Sequence, residues 1–279
     1  MPDTRSDILI SVAALTELLS ASFDLIVLDI SDDLETTPLK RNVIPGALAA
    51  SLASDFSGPA TKDGGRRPLP SSEALQNTLR EFGINRGSTV VVYDNAGGAQ
   101  AGRAWWTLRW AGHQNVRLLD GGLAAWCDAG QGLSSEPACA SAKGDIEVSP
   151  GGMPVIDAVQ SAEIARRGIL LDARGRKGYE GDPEIPTTGH IPGAICAGAK
   201  DVLQANGLFK STNELQAMFR DLGADRGLPV GVYCGSGNAA AFELVGLYAA
   251  GLEAPLYVGS WSAWIGDPSR RIVQGNERG

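Results

Sequence analysis

The chain has 279 residues, enough for nearly two domains at about 150 residues each, and its 43% apolar and 20% charged content excludes a disordered, collagen-like or coiled-coil chain. Twenty-four Lys and Arg against 32 Asp and Glu leave a net charge of −8, so there is no basic surplus for nucleic acid or for an anionic membrane. Four cysteines without a CxxC pair and only two histidines argue against a zinc site or a disulfide framework, so neither metal nor cofactor is expected. No apolar run approaches the roughly 18 residues of a membrane helix, and the start lacks a basic leader, which makes the cytoplasm the expected compartment.

In chain order, short apolar strands are expected at residues 25–30, 89–93 and 116–119, alternating with helical patterns at 73–82 and 102–111. A stretch rich in Gly, Ser, Ala and Pro follows, and residues 133–152 read as a linker. The alternation then returns, with strands at 169–172, 229–233 and 256–258 and helices at 214–222 and 239–251. Strands alternating with helices imply a mostly parallel sheet covered by helices on both faces. The return is a repeat: Ser72-Glu-Ala-Leu-Gln76 through Tyr93 reappears 140 residues later as Thr212-Asn-Glu-Leu-Gln216 through Tyr233. Val43-Ile-Pro-Gly-Ala47 matches His190-Ile-Pro-Gly-Ala194, and Leu119-Asp-Gly-Gly with Trp126 matches Val258-Gly-Ser-Trp with Trp264. A period this long is a duplicated α/β domain, not a solenoid. The expected domains are 1–132 and 153–279.

One loop looks like chemistry. After the strand ending at Tyr233 stands Cys234-Gly235-Ser236-Gly237-Asn238-Ala239-Ala240, and then an apolar helix. The carboxyl end of a parallel strand, entering a helix N-terminus, is where open α/β sheets place their sites. Two glycines let the N–H groups of such a loop converge, and those donors together with the helix end stabilise a sulfur anion. The first repeat has Asp94 at the matching position. Cys234 is therefore the expected nucleophile, whereas Cys127, Cys139 and Cys196 read as bystanders. A cysteine phosphatase would need an arginine after five intervening residues, and position 240 is alanine.

On the paired VxVY strands, the His190-Ile-Pro-Gly-Ala turn, Arg103-Ala-Trp-Trp106, the Leu119-Asp-Gly-Gly and Gly259-Ser-Trp segments and the Cys234 loop, the chain resembles the two-domain sulfurtransferases of the rhodanese superfamily over its whole length. The resemblance implies two tandem rhodanese-like domains, an inactive one at 1–132 and a catalytic one at 153–279. In the latter, Cys234 would pass sulfur as a persulfide from a small anionic donor to a thiophilic acceptor such as cyanide or a thiol. Within that family a Cys-Gly-Ser-Gly loop goes with 3-mercaptopyruvate and a cationic Cys-Arg loop with thiosulfate.

The chain also departs from the family pattern. Asn238-Ala239 stands where Val-Thr is usual, and the family's arginine six residues after Asp172 is replaced by Gly178. Arg67 stands where mercaptopyruvate enzymes carry a histidine, so no Ser-His-Asp relay through Ser236 can be completed. Arg176, Arg66 and Arg67 are the substitute candidates for holding the donor's anionic end, while Asp172 and Arg174 read as structural support. His190 and His113 read as structural. The missing cations leave a second reading open, a degenerate rhodanese-like module that binds a partner or anion without efficient turnover.

Overall fold

A computed structural model describes residues 5–21, 24–32 and 42–279; the other residues of the expected first domain lie outside the described residues. Two compact units result. The first comprises Met1–Gly58, Pro70–Met153 and Ala205–Phe209, and the second Pro59–Leu69, Pro154–Gln204 and Lys210–Gly279. The segment Pro59–Leu69 thus precedes the linker in sequence but packs within the second unit.

The first unit runs α1 (Arg5–Ile8), β1 (Leu9–Ile10), α2 (Val12–Ala21), β2 (Leu25–Ser31), β3 (Leu48–Ser51), α3 (Ser72–Glu81), β4 (Thr89–Asp94), α4 (Ala99–Trp110), β5 (Val116–Leu119) and α5 (Gly122–Asp128). Its strands form one parallel sheet in the order β1-β5-β4-β2-β3. The central strands β2 and β4 are near-continuous runs of Val, Ile and Leu, as burial on both sheet faces demands, and Val27, Leu28, Val91 and Val92 are buried.

The second unit runs β6 (Val155–Ile156), α6 (Ala158–Arg167), β7 (Ile169–Asp172), α7 (Gly175–Glu180), β8 (Ile195–Cys196), a 3-10 turn at Ala199–Val202, α8 (Thr212–Asp221), β9 (Val230–Tyr233), α9 (Asn238–Ala249), β10 (Leu256–Tyr257) and α10 (Ser260–Trp264). Its sheet is again parallel, in the order β6-β10-β9-β7-β8. Strand for strand this is the arrangement of the first unit, so the duplication read from sequence is present in the topology.

Local signals repeat as well. Ser71 and Ser211 cap α3 and α8, each accepting a backbone N–H from the third residue of its helix. Tyr93 accepts the Ile44 N–H at 3.0 Å and Tyr233 accepts the Ile191 N–H at 3.1 Å, so in both units a central-strand tyrosine pins the Ile-Pro-Gly-Ala turn. Helix α9 is apolar almost throughout and is buried from Ala240 onward, which places it as a core-covering helix directly behind the Cys234 loop. Among the described residues, no helix is long and apolar enough to cross a membrane.

Candidate active site

The carboxyl edge of the second sheet positions the thiol. From β9 the chain leaves through α9 toward β10, and from β7 it leaves through α7 toward β8, so connections diverge in opposite directions at the ends of two adjacent strands, the usual place for a cleft in an open α/β sheet. Cys234 directly follows β9 and is 2% exposed. Its Sγ accepts the Gly237 N–H at 3.1 Å. Gly237 is the residue before α9 and has φ 85°, a left-handed conformation that brings the chain round under the sulfur at little cost only for glycine. The N–H groups of the first turn of α9 have no intrahelical acceptor and face the loop with the positive end of the helix dipole.

A second turn clamps this loop from the other side. The Cys234 N–H donates to Ser260 Oγ at 3.2 Å, the Trp261 N–H to the Cys234 carbonyl at 2.9 Å, and the Ser262 N–H to the Gly235 carbonyl at 3.0 Å. Ser260 in turn donates its hydroxyl to the Tyr257 carbonyl at 2.7 Å. It is the sole non-glycine residue with positive φ among the described residues, at 52°. Such a conformation costs of order 1 kcal/mol and persists where surrounding bonds over-determine it.

Beneath the loop lies a buried polar network. Asp172, at the end of β7, is fully buried. Its Oδ2 accepts the Tyr233 hydroxyl at 2.6 Å and Arg174 Nη2 at 2.5 Å, and its Oδ1 accepts Arg174 Nε at 2.9 Å. Arg174 also donates to the Gly189 carbonyl at 2.6 Å and lies over the Trp261 ring at 4.4 Å. Burial opposes the Arg174 cation, but the hydrogen bonds and charge of Asp172 outweigh it and raise its pKa. Burial and then Asp172 hold the Tyr233 phenol well above its ordinary range, so it remains a donor. On α9, burial, with Asp172 and Asp201 adding to it, pushes the Glu243 carboxyl well above the usual carboxylate range.

The sequence-derived candidates fall in different places. Arg66 is brought to the loop: Gly235 lacks a side chain, and a Cβ there would lie 3.4 Å from Arg66 Nη2. Arg67 is half-buried on the same segment. The Arg176 side chain is 73% exposed and paired with Glu180 at 3.2 Å. Ser236, Asn238 and Ala239 are half-buried and Ala240 is buried; Asn238 Oδ1 is a buried atom without a partner among the described residues. His190 is fully buried, with its ring nitrogens 2.8 and 2.9 Å from the Tyr179 and Glu277 carbonyls and its ring stacked on Tyr179 at 3.7 Å, which ties down the Ile-Pro-Gly-Ala turn. Ser260 and Ser262 are the residues that sequence reasoning missed; only the repeated Gly259-Ser-Trp segment hinted at them.

The first unit treats the same loop differently. Asp94 ends β4, and its carboxylate accepts four backbone N–H groups, from Ala96 and Gly98 at 2.9 and 2.8 Å on Oδ1 and from Gln100 and Ala101 at 3.0 and 2.9 Å on Oδ2. The loop therefore carries its own anion, fixed in place. Asp94→Ala leaves those donors without their acceptor and is expected to destabilise the first unit by about 3 kcal/mol. Urea unfolding checks this, and a change below about 0.5 kcal/mol, the ordinary surface-substitution range, would contradict it.

The comparisons with known proteins agree with this architecture. A model described as a rhodanese-like domain matches residues 11–129 and again 157–267, and the chain belongs to the rhodanese family. A Pseudomonas aeruginosa protein named "Probable 3-mercaptopyruvate sulfurtransferase" is 42% identical over 268 residues, covering 91% of this chain and 93% of that protein. A Mycobacterium tuberculosis relative named "Putative thiosulfate sulfurtransferase SseB" is 36% identical over 287 residues, covering 97% of this chain and 98% of its own length. The crystal structure of an Escherichia coli 3-mercaptopyruvate sulfotransferase superposes with a TM-score of 0.76 at 27% identity, covering 91% of this chain and 98% of that one. The enzyme is a sulfurtransferase, acting on a sulfur donor and an acceptor.

Proposed function

We propose that Cys234 carries the transferred sulfur and that 3-mercaptopyruvate is the donor. The observation that carries this reading is the Cys234 sulfur at the head of α9 with the Gly237 N–H 3.1 Å from it, at a position where the other repeat has only a carboxylate. The anionic sulfur attacks the donor's sulfur, the new S–S bond forms as the donor's C–S bond breaks, and the electron pair leaves on the pyruvate enolate, which takes up a proton. Backbone N–H groups at the start of α9 stabilise the negative charge of the resulting persulfide. A thiophilic acceptor, cyanide or a thiol, then attacks the outer sulfur, and the electron pair of the breaking S–S bond returns to Cys234.

Donor choice follows from the loop. It contains no cation of its own, and it presents Ser236, whose hydroxyl has no partner among the described residues, in the same loop as the Asn238 amide; these suit a carbonyl and a carboxylate, with the Arg66 guanidinium close to Gly235. The relative at 42% identity bears a mercaptopyruvate name, which favours the same donor, and full-length likeness to sulfurtransferases disfavours a purely binding module. The test is intact mass spectrometry after incubation with each donor. 3-Mercaptopyruvate is expected to add one sulfur atom that cyanide removes, and thiosulfate to add much less. Absence of any adduct overturns the reading, and a larger adduct from thiosulfate overturns the donor assignment.

A further inference from the structure

Within the second unit, the residues holding Arg66 near the thiol loop converge on a single side chain. The Arg66 N–H donates to Ser262 Oγ at 3.0 Å, and the Ser262 hydroxyl donates onward to the Gly259 carbonyl at 2.9 Å. The Ser262 N–H is meanwhile bound to the Gly235 carbonyl at 3.0 Å. One residue thus touches the Cys234-Gly235 backbone through its own backbone and the Arg66 backbone through its hydroxyl. The approach is close enough to require Gly65, at φ 73°, since a Cβ there would run into Ser262 Oγ and the Gly259 carbonyl. Thr61 and Gly65 close the segment on itself, with the Thr61 N–H donating to the Gly65 carbonyl at 3.0 Å. A short loop fastened at Arg66 delivers a guanidinium whose Nη2 lies 3.4 Å from where a Gly235 Cβ would stand.

We propose that Ser262 is a positioning residue for sulfur transfer: it fixes the register of Arg66 against the thiol loop, so that the guanidinium meets the anionic end of the donor. The proposal rests on Cys234 being the reactive thiol. Ser262 itself touches neither donor nor sulfur and acts through Arg66. Without this tether the Arg66 backbone would move relative to the loop, adding to the ordering entropy that its side-chain rotamers already cost. With its backbone fixed, the planar fork is available for a carboxylate.

The readout is the ratio of Cys234 alkylation rates by anionic iodoacetate and neutral iodoacetamide, followed by peptide mass spectrometry so that the other three thiols do not contribute. A cation held beside the thiol loop raises this ratio, whereas general loosening of the loop changes both rates together. Arg66→Ala is expected to lower the ratio about three- to tenfold, the range for one screened charge at a partly exposed site. Ser262→Ala should lower it by about half as much on a logarithmic scale and raise the donor KM with the smaller effect on kcat; Ser262→Thr, which keeps the hydroxyl, should restore both. An unchanged ratio in Ser262→Ala or Arg66→Ala overturns the proposal, as does equal slowing by both reagents. The underlying reading fails separately: a ratio that falls as expected in a protein that forms no sulfur adduct leaves the tether standing and removes the sulfur-transfer role of Cys234. A wild-type Cys234 that resists both reagents overturns both.

Discussion

Cys234→Ser is expected to lose at least about a thousandfold in turnover while keeping its fold, a loss typical of removing a covalent nucleophile. The substitution is conservative in volume, and the serine hydroxyl retains an oxygen where Sγ accepts the Gly237 N–H. The clamp by Ser260, Trp261 and Ser262 involves only the backbone of residues 234 and 235, so it should survive. What disappears is the chemistry: an alkoxide is not accessible near neutral pH in this loop, and it cannot hold a sulfane sulfur as a persulfide. Two measurements separate chemistry from structure. Donor-dependent thiocyanate formation should vanish, while the urea midpoint should move by no more than that of an ordinary core substitution of similar size, about 1 kcal/mol in stability. Residual turnover within tenfold of wild type would assign the reaction to another group.

The largest stability effect is expected at Asp172. Asp172→Ala removes the acceptor of Arg174 and Tyr233 from a fully buried site, leaving an arginine that is largely enclosed, its side chain 13% exposed. Removing one partner of such a pair costs about 3–5 kcal/mol, mostly through the charge left behind. The comparison that matters is the double variant. Asp172→Ala with Arg174→Met should cost clearly less than the sum of the two singles, because the second change removes the stranded cation. Denaturant unfolding of the four proteins gives the coupling directly. Additive costs, or an Asp172→Ala cost below about 1 kcal/mol, would mean that water replaces the carboxylate and that the network is not a buried ion pair in effect.

Much of the fold was legible because burial on both sheet faces leaves a strong pattern. The strands expected at 116–119 and 169–172 coincide with β5 and β7, and those expected around Tyr93 and Tyr233 lie within one residue of β4 and β9. Helices α3, α4, α8 and α9 begin one to three residues earlier than expected, since periodicity marks apolar residues whereas the helix starts at its cap. Strands β1, β6 and β8 were invisible: each has two residues and borrows its register from a neighbour, too short for any local pattern to show. The site was legible where one loop carried it. Arg66 belonged to an unremarkable Gly-Arg-Arg-Pro stretch far from Cys234 in sequence, and only folding shows that it comes close to Gly235. Asp94 read as the absence of a nucleophile; that its carboxylate fills the loop with four hydrogen bonds is a fact of geometry.

The membership of Pro59–Leu69 in the second unit bears on how the duplicated sequence is divided between its two units. Duplication made two copies of one domain, but the unit that holds Cys234 is not drawn from one half of the sequence alone: the stretch that carries Arg66 is encoded ahead of the linker, in the half that has Asp94 at the matching position. Ala205–Phe209 makes the reverse loan, with the Phe209 N–H bound to Asp120 of the first unit at 2.8 Å. Splitting the gene at the linker would therefore yield a half that carries Cys234 without the stretch that carries Arg66. Neither half of the sequence is therefore the whole of its own unit.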